Sequence, residues 1–134
     1  MKTTMTAMIV DDDSDILATV GKGLEEAGFS VHAFSDPIRA IQHVEDGCSE
    51  CKVLVSDVRM PHMTGFQLIR RVKDLKPDMK VVLMTAFEVN MKEFESVFTS
   101  TTVDNVIRKP FPPSKLAEIL KSIYQSESPR EDPR

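Results

Sequence analysis

Four places in the chain set charged or hydroxyl side chains directly behind short apolar runs. Asp11-Asp12-Asp13 follows Ala7 to Val10, Asp57 follows the run beginning at Val53, Thr85-Ala86 follows Val81 to Met84, and Lys109-Pro110 follows the run Asn105 to Ile107. Asp11, Asp12 and Asp57 gathered at one rim with only Lys109 nearby carry a formal local charge of about -2, and such a cluster repels itself unless a cation offsets it. Mg²⁺ suits a shallow acidic rim, because it keeps several waters and takes one or two carboxylates plus phosphate oxygens. A buried carboxylate can attack phosphorus to give an aspartyl phosphate. Phosphoryl transfer then asks for positioning and for positive charge on the transferring oxygens, which a lysine and a cation supply. Each residue also has a plainer use: the first aspartates can cap a helix, Asp57 can initiate a turn before Pro61, Thr85 can end a strand, and Lys109 can be solvated.

The elements that would carry these residues alternate. Five apolar or β-branched runs (Ala7 to Val10, Ser30 to Phe34, Val53 to Val55, Val81 to Met84, Asn105 to Ile107) are separated or followed by five segments with helical spacing. The first helix shows Ile16, Leu17, Val20 and Leu24 on one face and ends before Gly28, a residue that tolerates positive φ. The second opens at Asp36-Pro37, an N-cap followed by a first-turn proline. The third carries Phe66, Ile69 and Val72 and stops near Pro77, the fourth has Phe94, Val97 and Phe98, and the fifth opens at Pro112-Pro113 with Leu116, Ile119, Leu120 and Ile123. Strands alternating with helices imply parallel βαβ units, and near-continuous apolar strands imply burial on both faces. The expected fold is α/β: a five-stranded parallel doubly wound sheet with five helices. In such sheets ligands bind beyond the carboxyl ends of the strands, the very positions of the charged residues.

Composition narrows the class. A chain of 134 residues with 41% hydrophobic and 28% charged residues fits one globular domain over residues 1–125, and SESPREDPR beyond it reads as a disordered tail over 126–134. No apolar run approaches the roughly 18 residues of a membrane span, and the first residues lack the pattern of a signal peptide, so a cytoplasmic protein without membrane insertion is expected. A net charge of -4 with no Lys/Arg block argues against direct nucleic-acid binding. Cys48-Ser49-Glu50-Cys51 is a lone C-x-x-C. His32, His43 and His62 show no paired spacing to complete a zinc site, so two reduced thiols in a polar loop are expected.

Taken in order, the acidic cluster Asp11 to Asp13, DVRMPHMTG from Asp57, Thr85-Ala86 and Lys109-Pro110-Phe111 resemble the receiver domains of two-component response regulators, from Met8 to about Tyr124. The resemblance implies the flavodoxin-like strand order 2-1-3-4-5, with Asp12 and Asp57 brought together where the order reverses. It further implies that Asp57 is the phosphoacceptor and that Asp11 and Asp12, with Asp57 and the backbone carbonyl of Arg59, hold Mg²⁺. Thr85 and Lys109 would bind phosphoryl oxygens, Ala86 would leave room for the incoming group, and the Lys109-Pro110 bond would be cis. The donor would be a sensor histidine kinase or a histidine phosphotransfer protein, and a downstream protein would read the resulting change of shape. The module would be a switch more than an enzyme with turnover.

Two departures from the family pattern stand out. Val106 occupies the position that usually holds an aromatic ring, and β-branched valine has no ring to swing. The chain is also about two residues longer than usual between Thr85 and Lys109, with Thr99 to Val103 where a small turn is common. Arg59 and Phe87, which in the family's geometry flank the approach of water to the phosphorus, are both large and are expected to slow hydrolysis of the aspartyl phosphate. Unchanged decay of the phosphorylated protein in Arg59→Ala and Phe87→Ala would overturn that expectation. Two other functions compete: a small Mg²⁺-dependent phosphohydrolase with Asp11 as nucleophile, and a receiver-like interaction module that never takes phosphate. The phosphohydrolase pattern is broken by Asp15 where a Thr or Val is usual.

Overall fold

The chain is described by a computed structural model over residues 5–86 and 103–126. Five strands, β1 (Met5–Val10), β2 (Phe29–Phe34), β3 (Val53–Asp57), β4 (Lys80–Thr85) and β5 (Asn105–Arg108), form one parallel sheet in the order β2-β1-β3-β4-β5. The described residues hold four helices, α1 (Ser14–Glu26), α2 (Pro37–Glu45), α3 (Gly65–Leu75) and α4 (Pro113–Ser126). The additional helix expected around Phe94 to Phe98, along with Phe87, Thr99 to Thr102 and the tail beyond Ser126, lies outside the described residues.

Alternation along the strands splits the core into two layers. Ala7 and Ile9 of β1 join Val53, Val55, Val82, Met84 and Ile107 beneath α1 and α4. Met8 and Val10 turn the other way, joining Leu54, Val81 and Leu83 beneath α2 and α3. Both faces of the sheet are therefore dry, as the continuous apolar strands require. Tyr124 of α4 reaches Thr6 of β1, donating from its hydroxyl to the Thr6 carbonyl (2.6 Å) and accepting from the Thr6 N–H (2.8 Å). That contact satisfies a stretch of β1 that lies before its pairing with β3 begins at Met8.

The helix starts obey local chemistry. Asp13 caps α1, its carboxylate accepting from the N–H groups of Asp15 and Ile16, and Asp36 caps α2 ahead of Pro37. Thr64 and Gln67 form a reciprocal capping box at α3. Gly28 closes the α1 connection at φ +103°.

The cysteines depart from expectation. Cys48 and Cys51 are joined by a disulfide with Cα atoms 5.4 Å apart. A turn in which the Cys51 N–H donates to the Cys48 carbonyl (3.3 Å) brings them within bonding reach. Their loop is polar as expected, with Asp46, Ser49, Glu50 and Lys52 exposed, but the cysteines turn inward: Cys51 is fully buried and both pack against the core under α2 and α3. The histidine spacing was a poor guide as well: His32 and His43, on β2 and α2, come together with the cysteines in space.

Candidate functional site

Three parallel strands deliver the site. β1 ends before Asp11, β3 ends on Asp57 and β4 on Thr85, so the carboxylates and the hydroxyl meet at one rim; Asp57 and Thr85 are the last residues of their strands rather than the first residues beyond them. β5 ends at Arg108, and Lys109 is drawn inward by its N–H bond to the Thr85 carbonyl (2.8 Å). The Lys109-Pro110 peptide is cis, as the resemblance implied. Behind Asp57 the chain turns through an exposed loop in which His62 adopts φ +73°, then enters α3 at Gly65, whose N–H donates to the Val58 carbonyl (2.8 Å). A Cβ on Gly65 would run into the backbone of Asp57 and Val58, so glycine is what lets α3 begin this close to the strand end.

Lys109 organises the charges. Its Nζ lies 2.7 Å from Asp11 Oδ2 and 3.3 Å from Asp57 Oδ1, tying together carboxylates from two strands. Asp11 is fully buried, and its Oδ1 accepts from the N–H of Asp13 (2.9 Å). Both of its oxygens are thus already engaged within the rim. Asp57 Oδ1 also accepts from the Val58 N–H (3.0 Å).

Burial, and next the negative charge of Asp11, hold the Asp57 carboxyl above its ordinary range, although Lys109 and the Val58 N–H pull the other way. For Lys109 burial alone would favour the neutral amine, but the hydrogen bond and charge of Asp11, with Asp57 behind them, outweigh it and raise the ammonium's pKa. The rim therefore holds more negative charge than one lysine comfortably balances.

Asp11, Asp12 and Asp57 each offer a carboxylate oxygen within 4.8 Å of the others. That oxygen set, already under mutual repulsion, fits a hard divalent cation of the Mg²⁺ class. Thr85 is buried, Ala86 beside it is exposed, and the Arg59 side chain is exposed on the loop after Asp57. Val106 lies half-buried in β5 opposite Leu83, in the position where an aromatic ring is usual. Asp13, within the same acidic run, belongs to the helix cap.

A doubly wound sheet in the order 2-1-3-4-5, with an acidic pocket and a lysine at its switch point, defines the flavodoxin-like class of domain, whose ligands sit at that rim. The chain belongs to the response regulator receiver domain family, whose pattern it matches over residues 7–121. It is thus a receiver domain of the response regulator type. It is 31% identical over 80 residues to the response regulator receiver protein CpdR of Brucella abortus, covering 60% of this chain and 65% of that protein. It is 30% identical over 115 residues to the regulatory protein VanRc of Enterococcus gallinarum, covering 86% of this chain and 48% of the relative. The chain thus spans about half to two thirds of these relatives. Among solved structures, a CheY-like receiver domain protein from Methanospirillum hungatei superposes with a TM-score of 0.83 at 25% identity, over 92% of this chain and 95% of that one.

Proposed function

We propose that Asp57 is the phosphoacceptor and that the domain takes its phosphoryl group from the phosphohistidine of a sensor kinase or of a histidine phosphotransfer protein. The observation that carries this reading is Lys109, an inward-facing ammonium bridging Asp11 and Asp57 at the carboxyl end of the sheet. Asp57 Oδ2 attacks phosphorus, the P–N bond of the donor breaks as the O–P bond forms, and the departing imidazole keeps the electron pair and takes up a proton. Lys109 pairs with one phosphoryl oxygen and the Thr85 hydroxyl donates to another, so charge is met where it develops. Asp11, Asp12, Asp57 and the Arg59 carbonyl are the groups that would hold Mg²⁺, which when bound adds positive charge to the phosphoryl oxygens and relieves the repulsion among the carboxylates.

Movement of Lys109 and Thr85 toward the phosphate would shift the balance between two conformations of the domain, for a downstream protein to read. With Val106 at the usual aromatic position, that shift would proceed without a swinging ring. The domain assists its own phosphorylation and does not turn over a substrate.

The test is incubation with acetyl phosphate and Mg²⁺ followed by intact mass. A single phosphoryl adduct is expected, absent in Asp57→Asn and retained in Asp13→Asn, whose carboxylate only caps α1. Release of phosphate without an adduct would favour a hydrolase, and no reaction even with a kinase donor would favour a pure interaction module.

A further inference from the structure

Away from the acidic rim, the structure gathers a second group of metal-binding side chains. His32 of β2, His43 in the last turn of α2, and Cys48 and Cys51 of the loop leading into β3 each offer a ligand atom, and these four atoms lie within 4.8 Å of one another. We infer that, once the Cys48–Cys51 bond is reduced, these four residues form a tetrahedral Cys₂His₂ site for Zn²⁺.

The donor set is the first argument. Two thiolates and two imidazoles are the combination that selects zinc over the hard cations suited to the carboxylate rim, and C-x-x-C is the spacing by which one turn supplies two of four ligands. Geometry is the second. Zinc bonds of about 2.0–2.3 Å put the donors of a tetrahedral ion within about 4 Å of one another, so the ring and loop movements needed are small. Three separate elements have already converged on the site.

The third argument is unmet polarity. Among the described residues, Nε2 of His32 and Nε2 of His43 are both buried and neither makes a hydrogen bond. The Glu50 carboxylate stands 3.5 Å from His32 Nε2 without reaching hydrogen-bond geometry. Stacking accounts for the closeness of the rings, with His32 and His43 centroids 4.7 Å apart and Phe34 at 5.3 Å from His43. It does not account for two buried nitrogens left without partners, a costly arrangement that a metal would resolve.

The loop is also held in place. Lys76, at the end of α3, donates from Nζ to the carbonyls of Cys48 (3.0 Å) and Ser49 (3.4 Å). The cysteine turn is therefore anchored by a contact independent of the sulfurs.

Disulfide and metal exclude each other at this site. A thiol or phosphine reductant delivers two electrons, the S–S bond breaks, and two protons complete the thiols; binding Zn²⁺ then releases both thiol protons as the thiolates coordinate. The site is consequently gated by thiol redox state. When filled it ties edge strand β2, α2 and the entry to β3 together.

The experiment uses the full chain, reduced with a phosphine in metal-free anaerobic buffer, with excess Mg²⁺ present to occupy the acidic rim. Titration with Co²⁺ as a spectroscopic probe is expected to give one ion per chain, with thiolate-to-cobalt charge transfer and the d–d bands of a tetrahedral ion. Zn²⁺ should displace it, and the oxidised chain should bind neither. Cys48→Ser and His43→Gln should each weaken Zn²⁺ binding by roughly 100-fold or more, since even the outer partners of a metal ligand carry about 10–100-fold in affinity. X-ray absorption on the zinc-loaded wild type should report two sulfur and two nitrogen ligands, a readout that needs no variant to fold. No binding by the reduced wild type, binding indifferent to both histidines, or an all-oxygen shell would each overturn the inference.

Discussion

Asp57 is held in a setting that disfavours its own charge. It is buried, it faces Asp11, and Lys109 lies closer to Asp11 (2.7 Å) than to it (3.3 Å). Because its folded-state pKa is raised, the native state holds the Asp57 proton more tightly than the unfolded chain does. The stability this proton contributes is fully present below the unfolded pKa and is lost as pH rises through the folded one. Replacing the carboxylate by an amide removes the penalty, so Asp57→Asn is expected to be more stable than wild type at neutral pH and without divalent metal. A gain of roughly 1 kcal/mol is the scale of an ordinary single substitution. The gain should shrink as pH falls toward the usual carboxylate range, where wild-type Asp57 becomes protonated too. Thermal unfolding of both proteins in chelator across that range measures it; an equal or lower midpoint for the variant at neutral pH would show that Lys109 fully compensates the charge.

Two glycines separate the packing of elements from the work of the site. A Cβ at Gly65 would collide with the Asp57 carbonyl, and one at Gly23 would collide with Pro113 where α1 meets α4. Overpacking of this kind costs about 1–3 kcal/mol. Gly65→Ala and Gly23→Ala should therefore both lower the unfolding midpoint, but only Gly65→Ala should slow phosphorylation by acetyl phosphate, because only there does the backbone of Asp57 have to move. Equal labelling rates in the two variants would mean that the strand end tolerates the shift.

The same contrast explains what could be read before the structure. Asp57 and Lys109 were legible because strands alternating with helices run parallel, which brings all their carboxyl ends to one rim, and a charge just past an apolar run then falls on that rim. Asp36-Pro37 and Gly28 were legible because their roles are local. The Thr64–Gln67 capping box carries a local signal too, Thr followed three residues on by Gln. The Cys–His cluster had no such signal. His32, His43 and the cysteines belong to three elements, and only the packing of α2 against β2 and the return into β3 makes them neighbours.

At the scale of the whole molecule the two clusters lie at opposite ends of β3, with Asp57 closing the strand and Cys51 just ahead of its start. Stability should therefore answer to hard and soft metals independently. A ligand that binds only the native state stabilises it by about 2.7 kcal/mol at a concentration 100 times its dissociation constant. For a chain of this size that corresponds to roughly 10 °C in the unfolding midpoint. Mg²⁺ bound at the carboxylate rim should give wild type a shift of this order that fades as pH falls, because protons compete for the same oxygens. Asp57→Asn has lost one of those oxygens' charges, so its own shift should be much smaller. The substitution is then expected to change sign in its effect, stabilising in chelator and destabilising relative to wild type in saturating Mg²⁺. A pair of melting curves for each protein, with and without the metal, tests this directly. Parallel shifts in the two proteins would place the Mg²⁺ somewhere other than on Asp57.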